Sequence, residues 1–383
     1  MKISVNFNEL QSVLGYINTI LNDKSVDDKL KNVIFMVDPS EETVRVVGYN
    51  VYTFSRTELE KAVIEDCDAL WEFQVKAAEL NKLISSFSSM YKTEVNTVDF
   101  ENEGVKIKLT VHEEPKEGND ERLAQDSTFL LENAPILKNI SKDIHMDFPE
   151  ENDLLSSGDL LLYLDSLFPL LSNDSASSTG SKINFADDYI FVLTSAVSAF
   201  MQNKLPDAFK GITITYSSVN FLKKLCESVD DLGVAKLEKY ICIKSGLTEA
   251  FMKFQNIRPN YKMYVDKKDT TNGIVLDRLY FKDVLKRMGN SSPDGKVIIA
   301  SSEELRVENA NFQQVIPLNN SKGNVEGVGF NISVPIMEKI IVGRDDVFTE
   351  DLFLYLVETP RGYIIYLSDK TGSWFANTQV TRV

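Results

Sequence analysis

Lysine and arginine spacing is the pattern in this chain most able to do chemistry. Arg278, Lys282 and Lys286 recur every four residues, with Arg287 beside the last. On a helix that spacing predicts a cationic face, turned away from Leu279, Val284, Leu285 and Met288. Lys223 and Lys224 sit in a second amphipathic stretch, and Lys339 in a third, with Arg344 just past its end. Cations gathered on helix faces suit the neutralisation of phosphate oxygens without any reading of base edges.

Catalytic constellations are missing from the sequence. His112 and His145 are its only histidines, and neither has a cysteine or second histidine at metal-ligand spacing. The nearest approach to a phosphate loop runs from Gly289 to Gly295-Lys296-Val297, one residue too long, with Val297 where a hydroxyl should hold magnesium. It reads as a turn from helix to strand. There is no nucleophile elbow and no dinucleotide fingerprint. Asp230-Asp231 and Asp345-Asp346 sit in turn-like contexts and read as solvated carboxylates. The expectation is a protein that is not an enzyme and needs no cofactor and no metal.

Composition bounds the class. The chain has 383 residues, 43% hydrophobic and 26% charged, which is room for two or three folded domains. MKISVNFNELQ carries no apolar signal core, and no apolar run is long enough for a bilayer. Three scattered cysteines, Cys67, Cys226 and Cys242, fit a reducing cytoplasm better than a disulfide framework. A net charge of −16 argues against coating nucleic acid with the outer surface, but leaves room for cations collected on one concave face.

The elements that must position those cations repeat three times. Val44, Val46, Val51 and Phe54 in VRVVGYNVYTF keep the spacing of Ile190, Val192, Val197 and Phe200 in IFVLTSAVSAF, and of Leu305, Val307, Phe312 and Val315 in LRVENANFQQV. Helices are predicted over Asn8–Leu21, Ser157–Leu171 and Leu276–Met288. Further helix entries follow at Ala77-Ala78, Ser217-Ser218 and Ser333, small or cap-like residues. Strand pairs follow these, with Gly104, Gly246 and Gly362 near their turns. His112 to Ser127 and Ser172 to Ser181 read as loops. Copies spaced by about 120–150 residues are domain-sized. The boundaries drawn are 1–142, 143–265 and 266–383.

At this point the chain resembles the bacterial-type DNA polymerase sliding clamp, the three-domain processivity factor. MKISVNFNEL…TILNDK is similar to the clamp N-terminus, QNIRPNYKMYV to the segment before the third domain, VGFNISVPIMEKI to the third domain's helix entry, and TQVTRV to its last strand. The resemblance implies an α+β fold of three clamp domains, each with two helices packed on antiparallel sheets. It implies a head-to-tail homodimer closed into a ring around duplex DNA, held without sequence specificity. It implies a polymerase, a clamp loader and other replication or repair proteins as partners through short linear motifs, in the cytoplasm and away from membranes. DNA contact would lean on Lys24, Lys82, Lys223, Lys224, Lys282, Lys286, Arg287 and Lys339, together with Arg278 of the same helix. The peptide pocket would take Thr194, Ala196, Val197, Ser198, Pro259, Tyr264, Val380, Thr381, Arg382 and Val383. Ala196-Val197-Ser198-Ala199 stands where the family carries Gly-His-Arg-Leu, and Gln379-Val380-Thr381 where it carries Met-Pro-Met. The first helix of the second copy offers Asp159 and Asp165 but no cation. These departures point to a divergent clamp, of the kind a bacteriophage would encode for use in its host's cytoplasm. The alternative is a non-enzymatic assembly protein that uses the clamp domain without encircling DNA.

Overall fold

Ten elements occur three times in the same order. The first set is β1 (Lys2–Asn6), α1 (Phe7–Leu21), β2 (Asn32–Asp38), β3 (Thr43–Tyr49), β4 (Thr53–Glu58), β5 (Trp71–Lys76), α2 (Ala77–Phe87), β6 (Thr93–Asn102), β7 (Lys106–Pro115) and β8 (Asp126–Glu132). The second is β9 (Asp153–Ser156), α3 (Ser157–Leu167), β10 (Lys182–Phe185), β11 (Tyr189–Leu193), β12 (Val197–Gln202), β13 (Ile212–Thr215), α4 (Tyr216–Cys226), β14 (Asp231–Lys236), β15 (Tyr240–Ser245) and β16 (Thr248–Lys253). The third is β17 (Gly273–Asp277), α5 (Arg278–Gly289), β18 (Asp294–Ile299), β19 (Glu304–Asn309), β20 (Phe312–Pro317), β21 (Gly329–Ser333), α6 (Val334–Ile341), β22 (Asp351–Thr359), β23 (Gly362–Ser368) and β24 (Trp374–Thr381). Short helices at Lys138–Ile144 and Lys262–Val265 are additions to this scheme. The computed structural model describes residues 1–21, 31–50, 52–88, 90–119, 125–171, 182–257, 260–266, 269–341 and 350–383. Lys24, Val51, the predicted loop 172–181, Pro259 and Arg344 lie outside them.

Local chemistry accounts for the element ends. Asn6, Ser156 and Asp277 stand at the same place, between the opening strand and the opening helix, and all are good N-caps. The Asn6 side chain accepts from the Glu9 amide at 3.0 Å, and Asp277 from the Tyr280 amide at 2.7 Å. The later helix α2 begins without such a cap at Lys76. Its apolar stripe of Ala77, Leu80 and Ile84 holds it to the sheet instead. Gly104 and Gly246 turn at φ of +79° and +52°, which a side chain resists. Sequence reading missed the ends of one loop. His112 lies within β7 and Asp126–Ser127 begin β8, because charged residues there alternate on the exposed side of a sheet. His112 bridges the Asp126 and Asp99 carboxylates at 2.9 and 3.0 Å. Partial burial works against a charge on the ring, but those carboxylates outweigh it and hold its pKa above the ordinary range.

Two compact units emerge, and they do not follow the repeat boundaries. One comprises residues 1–157 and 220–254, the other 158–219 and 255–383. Within the first, an eight-stranded sheet runs β9-β14-β15-β16-β4-β3-β2-β5, and β1, β6, β7 and β8 lie side by side in a second sheet. In the other unit a ten-stranded sheet contains β13-β10-β11-β12-β24-β23-β22-β17, and four strands form β20-β19-β18-β21. Each repeat therefore builds two four-stranded sheets, ordered first-sixth-seventh-eighth and fifth-second-third-fourth by position in the set. The eighth strand of one repeat pairs with the fourth strand of the repeat before it: β16 with β4, and β24 with β12.

A shared turn fixes the register of the repeats. The side-chain oxygen of Asn50 accepts from the amides of Tyr52 and Thr53, Thr194 does the same for Ala196 and Val197, and Asn309 for Asn311. These turns make Thr53, Val197 and Phe312 equivalent, and likewise Arg56, Phe200 and Val315. The first copy is thus offset by two residues from the alignment read from apolar spacing. A shift of two preserves the face of every side chain, so periodicity cannot detect it.

At the β4·β16 junction Phe54 stacks on Phe251 at 4.5 Å and 11°. Arg56 donates from Nε to Glu249 at 2.8 Å and from a terminal nitrogen to the Ile144 carbonyl at 3.1 Å. Burial would raise the Glu249 carboxyl, but hydrogen bonds from Lys244 and Arg56 outweigh it and hold the pKa low. Phe251→Ala removes a fully buried ring from this junction and should cost about 3–5 kcal/mol in urea unfolding. A cost under about 1 kcal/mol would show that the stack does not hold the junction together.

Candidate functional site

The second junction carries different side chains at the same positions. Phe200 stacks on Phe375 at 4.7 Å and 10°, where the first junction has Arg56 and Glu249. Ser198 faces Asn377, where the first has Phe54 facing Phe251. Exchanging two stacked rings for two small polar groups leaves a cavity of about 260 Å³. The β11–β12 turn and the start of β12 supply Thr194 to Ser198, the short helix Lys262–Val265 supplies Met263 and Tyr264, β23 supplies Ile364 and Tyr366, and β24 supplies Asn377 to Gln379.

Several contacts set the walls. Thr378 donates from Oγ1 to the Ala196 carbonyl at 2.9 Å, tying the turn to β24. Tyr261, just before the short helix, stacks on Phe191 at 4.8 Å and donates to Asp188 at 2.5 Å. Burial and the Asp188 carboxylate push its hydroxyl pKa upward, so it stays protonated and keeps donating. Every wall residue is uncharged. A larger cavity of about 540 Å³ adjoins it, sharing Thr378 and Gln379, with Lys296, Asn309 and Asn331 among its walls.

Of the pocket residues expected from sequence, Thr194, Ala196, Val197, Ser198 and Tyr264 come together in the smaller cavity. Val380 and Thr381 line the larger one. Arg382 and Val383 line neither: Arg382 pairs with Glu358 and lies over the Tyr363 ring at 5.1 Å, and Val383 is exposed. Ile364, Tyr366, Asn377 and Thr378 were not anticipated. The signal for them is the β12·β24 register, which sets Asn377 opposite Ser198.

The helix cations divide into groups. Lys82, Lys224, Lys286, Arg287 and Lys339 are exposed, although Lys224 pairs with Glu227 at 2.6 Å. Lys223 and Lys282 are half-buried. Arg278 does not belong to a cationic face. It is 4% exposed and heads the inward stripe of Phe281, Val284, Leu285 and Met288, while Leu279 points outward. Helix geometry explains the correction: Arg278 is three residues before Phe281 and seven before Leu285, so it shares their face. Asp351 and Asp369 line the same small cavity as Arg278. Five of the six repeat helices also bear acids, including the exposed Asp159 of α3, and α4 bears none. Among the described residues no three His, Cys, Asp or Glu side chains gather as a metal site, and no helix is long and apolar enough to cross a membrane.

Two strands, β8 and β20, form the outer edges of their sheets in the units that contain them. They are the eighth strand of the first repeat and the fourth of the third. Leu130 on β8 and Val315 on β20 are 54% and 48% exposed, apolar side chains left in water on open edges.

A scan against protein-family models finds no match, and no curated protein matches in sequence. Solved structures do match, and they define a class: this is the fold of the bacterial DNA polymerase III beta sliding clamp. The sliding clamp of Bacillus subtilis superposes with a TM-score of 0.76 at 11% identity, over 100% of this chain and 99% of that one. A Caulobacter crescentus beta clamp, solved with polyethylene glycol bound to its putative beta-motif tethering region, gives 0.75 at 13%, over 100% and 99%. The Pseudomonas aeruginosa clamp bound to griselimycin gives 0.74 at 14%, over the full length of both chains.

Arg278→Ala should destabilise the protein by about 2–5 kcal/mol, because it empties a place in the buried stripe beside Phe281 and Leu285. Lys286→Ala and Arg287→Ala should stay within about 0.5 kcal/mol. Urea midpoints of the three variants test the division, and equal stability for all three would return Arg278 to the surface set.

Proposed function

We propose that this protein is a sliding clamp: two copies close head to tail into a ring around duplex DNA and tether a polymerase to it. Three domains, bounded near 142/143 and 265/266, would make six in the ring. The reading is carried by the two open edge strands. Inside the chain the fourth strand of a repeat is covered twice by the eighth strand of the next, and only β20 and β8 keep an open edge in those roles. A second copy supplies the missing partner for each, and a heterologous contact of this kind closes when the rotation permits.

The internal junctions specify the register of that contact. Arg56 opposite Glu249 and Phe200 opposite Phe375 translate to Val315 opposite Thr128 of the second copy. Gln313 then faces Leu130, and Leu130 and Val315 share one face as diagonal neighbours. The DNA contact would come from Lys82, Lys223, Lys224, Lys282, Lys286, Arg287 and Lys339, a modest set that suits sliding. The charge of −16 then repels duplex from the rest of the surface. Polymerase, loader and other replication proteins would dock by short peptides in the junction cavity. Tethering needs no chemical step.

With Cys67 replaced by serine, Thr128→Cys and Val315→Cys in one chain should oxidise to a covalent dimer on a denaturing gel, and either cysteine alone should not. A monomer in sedimentation with no cross-link would sink the ring. The cross-linked dimer should stay on nicked circular DNA and run off once the circle is cut. Lys282→Ala with Lys286→Ala should keep the dimer, weaken DNA binding and lower the salt slope by about 1 for each phosphate no longer neutralised. Loss of the dimer would mean these lysines are structural. A dimer that never stays on circular DNA would favour an assembly protein that does not encircle it.

A further inference from the structure

The first strand of each repeat has an outer edge, and the chain covers it in two repeats out of three. In the first repeat a short strand, Val63–Glu65, lies antiparallel on β1, with Val63 opposite Ser4 and Glu65 opposite Lys2. In the third, Asn320–Lys322 lies the same way on β17, with Asn320 opposite Val275. Both cover strands come from the connection between the fourth and fifth strands. In the second repeat that connection, between Gln202 and Ile212, makes a short turn of helix at Asp207–Phe209 and no strand. β9 therefore ends its eight-stranded sheet with no strand paired outside it among the described residues.

The residues of β9 are those of an edge awaiting a strand. Counting back from the shared N-caps, Leu154 stands where Ser4 and Val275 stand. It is 81% exposed, because across the ladder it meets Gly233, which has no side chain to lie against it. The Ser157 amide donates to the Asp230 carbonyl at 2.8 Å. By the alternation of an antiparallel ladder, Asp153 and Leu155 then bond to β14, and the amide and carbonyl of Leu154 point to the open edge. Asp153 takes the place of the buried Ile3 and Ile274, yet is exposed. Glu150 and Glu151 just before the strand, and Asp230 and Asp231 opposite its end, are exposed as well. Lys244, across Gly233 on the next strand, is taken up by Glu249 at 2.9 Å.

We propose that the open edge of β9 docks an extended, cationic segment of a partner protein, added antiparallel as one more strand, with an apolar side chain beside Leu154 and a lysine or arginine opposite Asp153. The cover strands of the other repeats supply the register, and the backbone groups of Leu154 supply the hydrogen bonds. The carboxylates decide the occupant. They repel phosphate, and the same edge of a second copy would bring like charges together. The inference does not depend on closure of a ring.

The probe is a labelled pentapeptide, Arg-Val-Lys-Val-Arg, titrated into the full chain by fluorescence anisotropy. It should bind, and its acidic counterpart Glu-Val-Asp-Val-Glu should not. Leu154→Pro removes the outward amide and no bond to β14, so it should weaken binding about tenfold. Glu151→Lys with Asp153→Lys should weaken it by at least as much and flatten its salt dependence. With Cys67→Ser and Leu154→Cys, a peptide carrying cysteine for its first valine should form a disulfide, and one carrying cysteine for its lysine should not. Equal binding by wild type and Leu154→Pro would mean diffuse attraction to an acidic surface and overturns the proposal. So does no binding at about 1 mM peptide. Self-association lost in Leu154→Pro, with no peptide bound, would give the edge to a second copy and overturns it too. Circular dichroism melts check folding; if Leu154→Pro does not fold, the charge-reversed variant and the cross-link decide. The Thr128–Val315 cross-link should form equally well with Leu154→Pro, which separates this edge from the ring contact.

Discussion

A β-sheet cannot end in water without leaving a row of amides and carbonyls unpaired, and in this chain that constraint organises nearly everything else. Each repeat makes two four-stranded sheets, and each sheet has an edge to cover. The chain covers them by lending the last strand of one repeat to the previous one, as β16 lies on β4 and β24 on β12. The backbone pairing is generic, so the side chains at the seam were free to diverge. One seam holds a salt bridge beside an aromatic stack, and the other an aromatic stack beside a serine and an asparagine.

That divergence turns a repeated architecture into one with distinct places. Backbone pairing holds both seams, and at the first the stacked rings fill the space between the strands. At the second the filling is absent and a cavity appears, walled by a turn that Thr194 and Thr378 hold in shape. Small polar residues at a seam weaken packing there, and the Phe191–Phe200–Phe375 stack alongside offsets the loss with dispersion and burial. A site is thus opened in a rigid sheet with no loop asked to hold it, which favours precise placement of whatever binds.

Electrostatics follow a similar economy. A strongly acidic chain keeps its exposed helix cations few, and one arginine that seemed to belong with them serves the interior. Arg278 shows why charge spacing alone misleads. Four-residue spacing identifies neighbours on a helix, yet the outward direction is decided by the sheet beneath, which takes Phe281, Leu285 and Met288 and draws Arg278 in with them.

The sequence by itself determined the triplication, the alternation of helix and sheet, and the glycines at the hairpin turns, because these rest on periodicity and local backbone preference. It also carried the clamp resemblance, through short motifs in the right order along the whole chain. It could not determine the two-residue offset of the first repeat, since a shift of two returns every side chain to the same face. It did not reveal β8, whose charged start looks like loop, or the inward turn of Arg278. Above all it could not show that Asn377 faces Ser198 across almost half the length of the chain. Only strand pairing brings those residues together, and the register of that pairing is set by the tertiary structure as a whole.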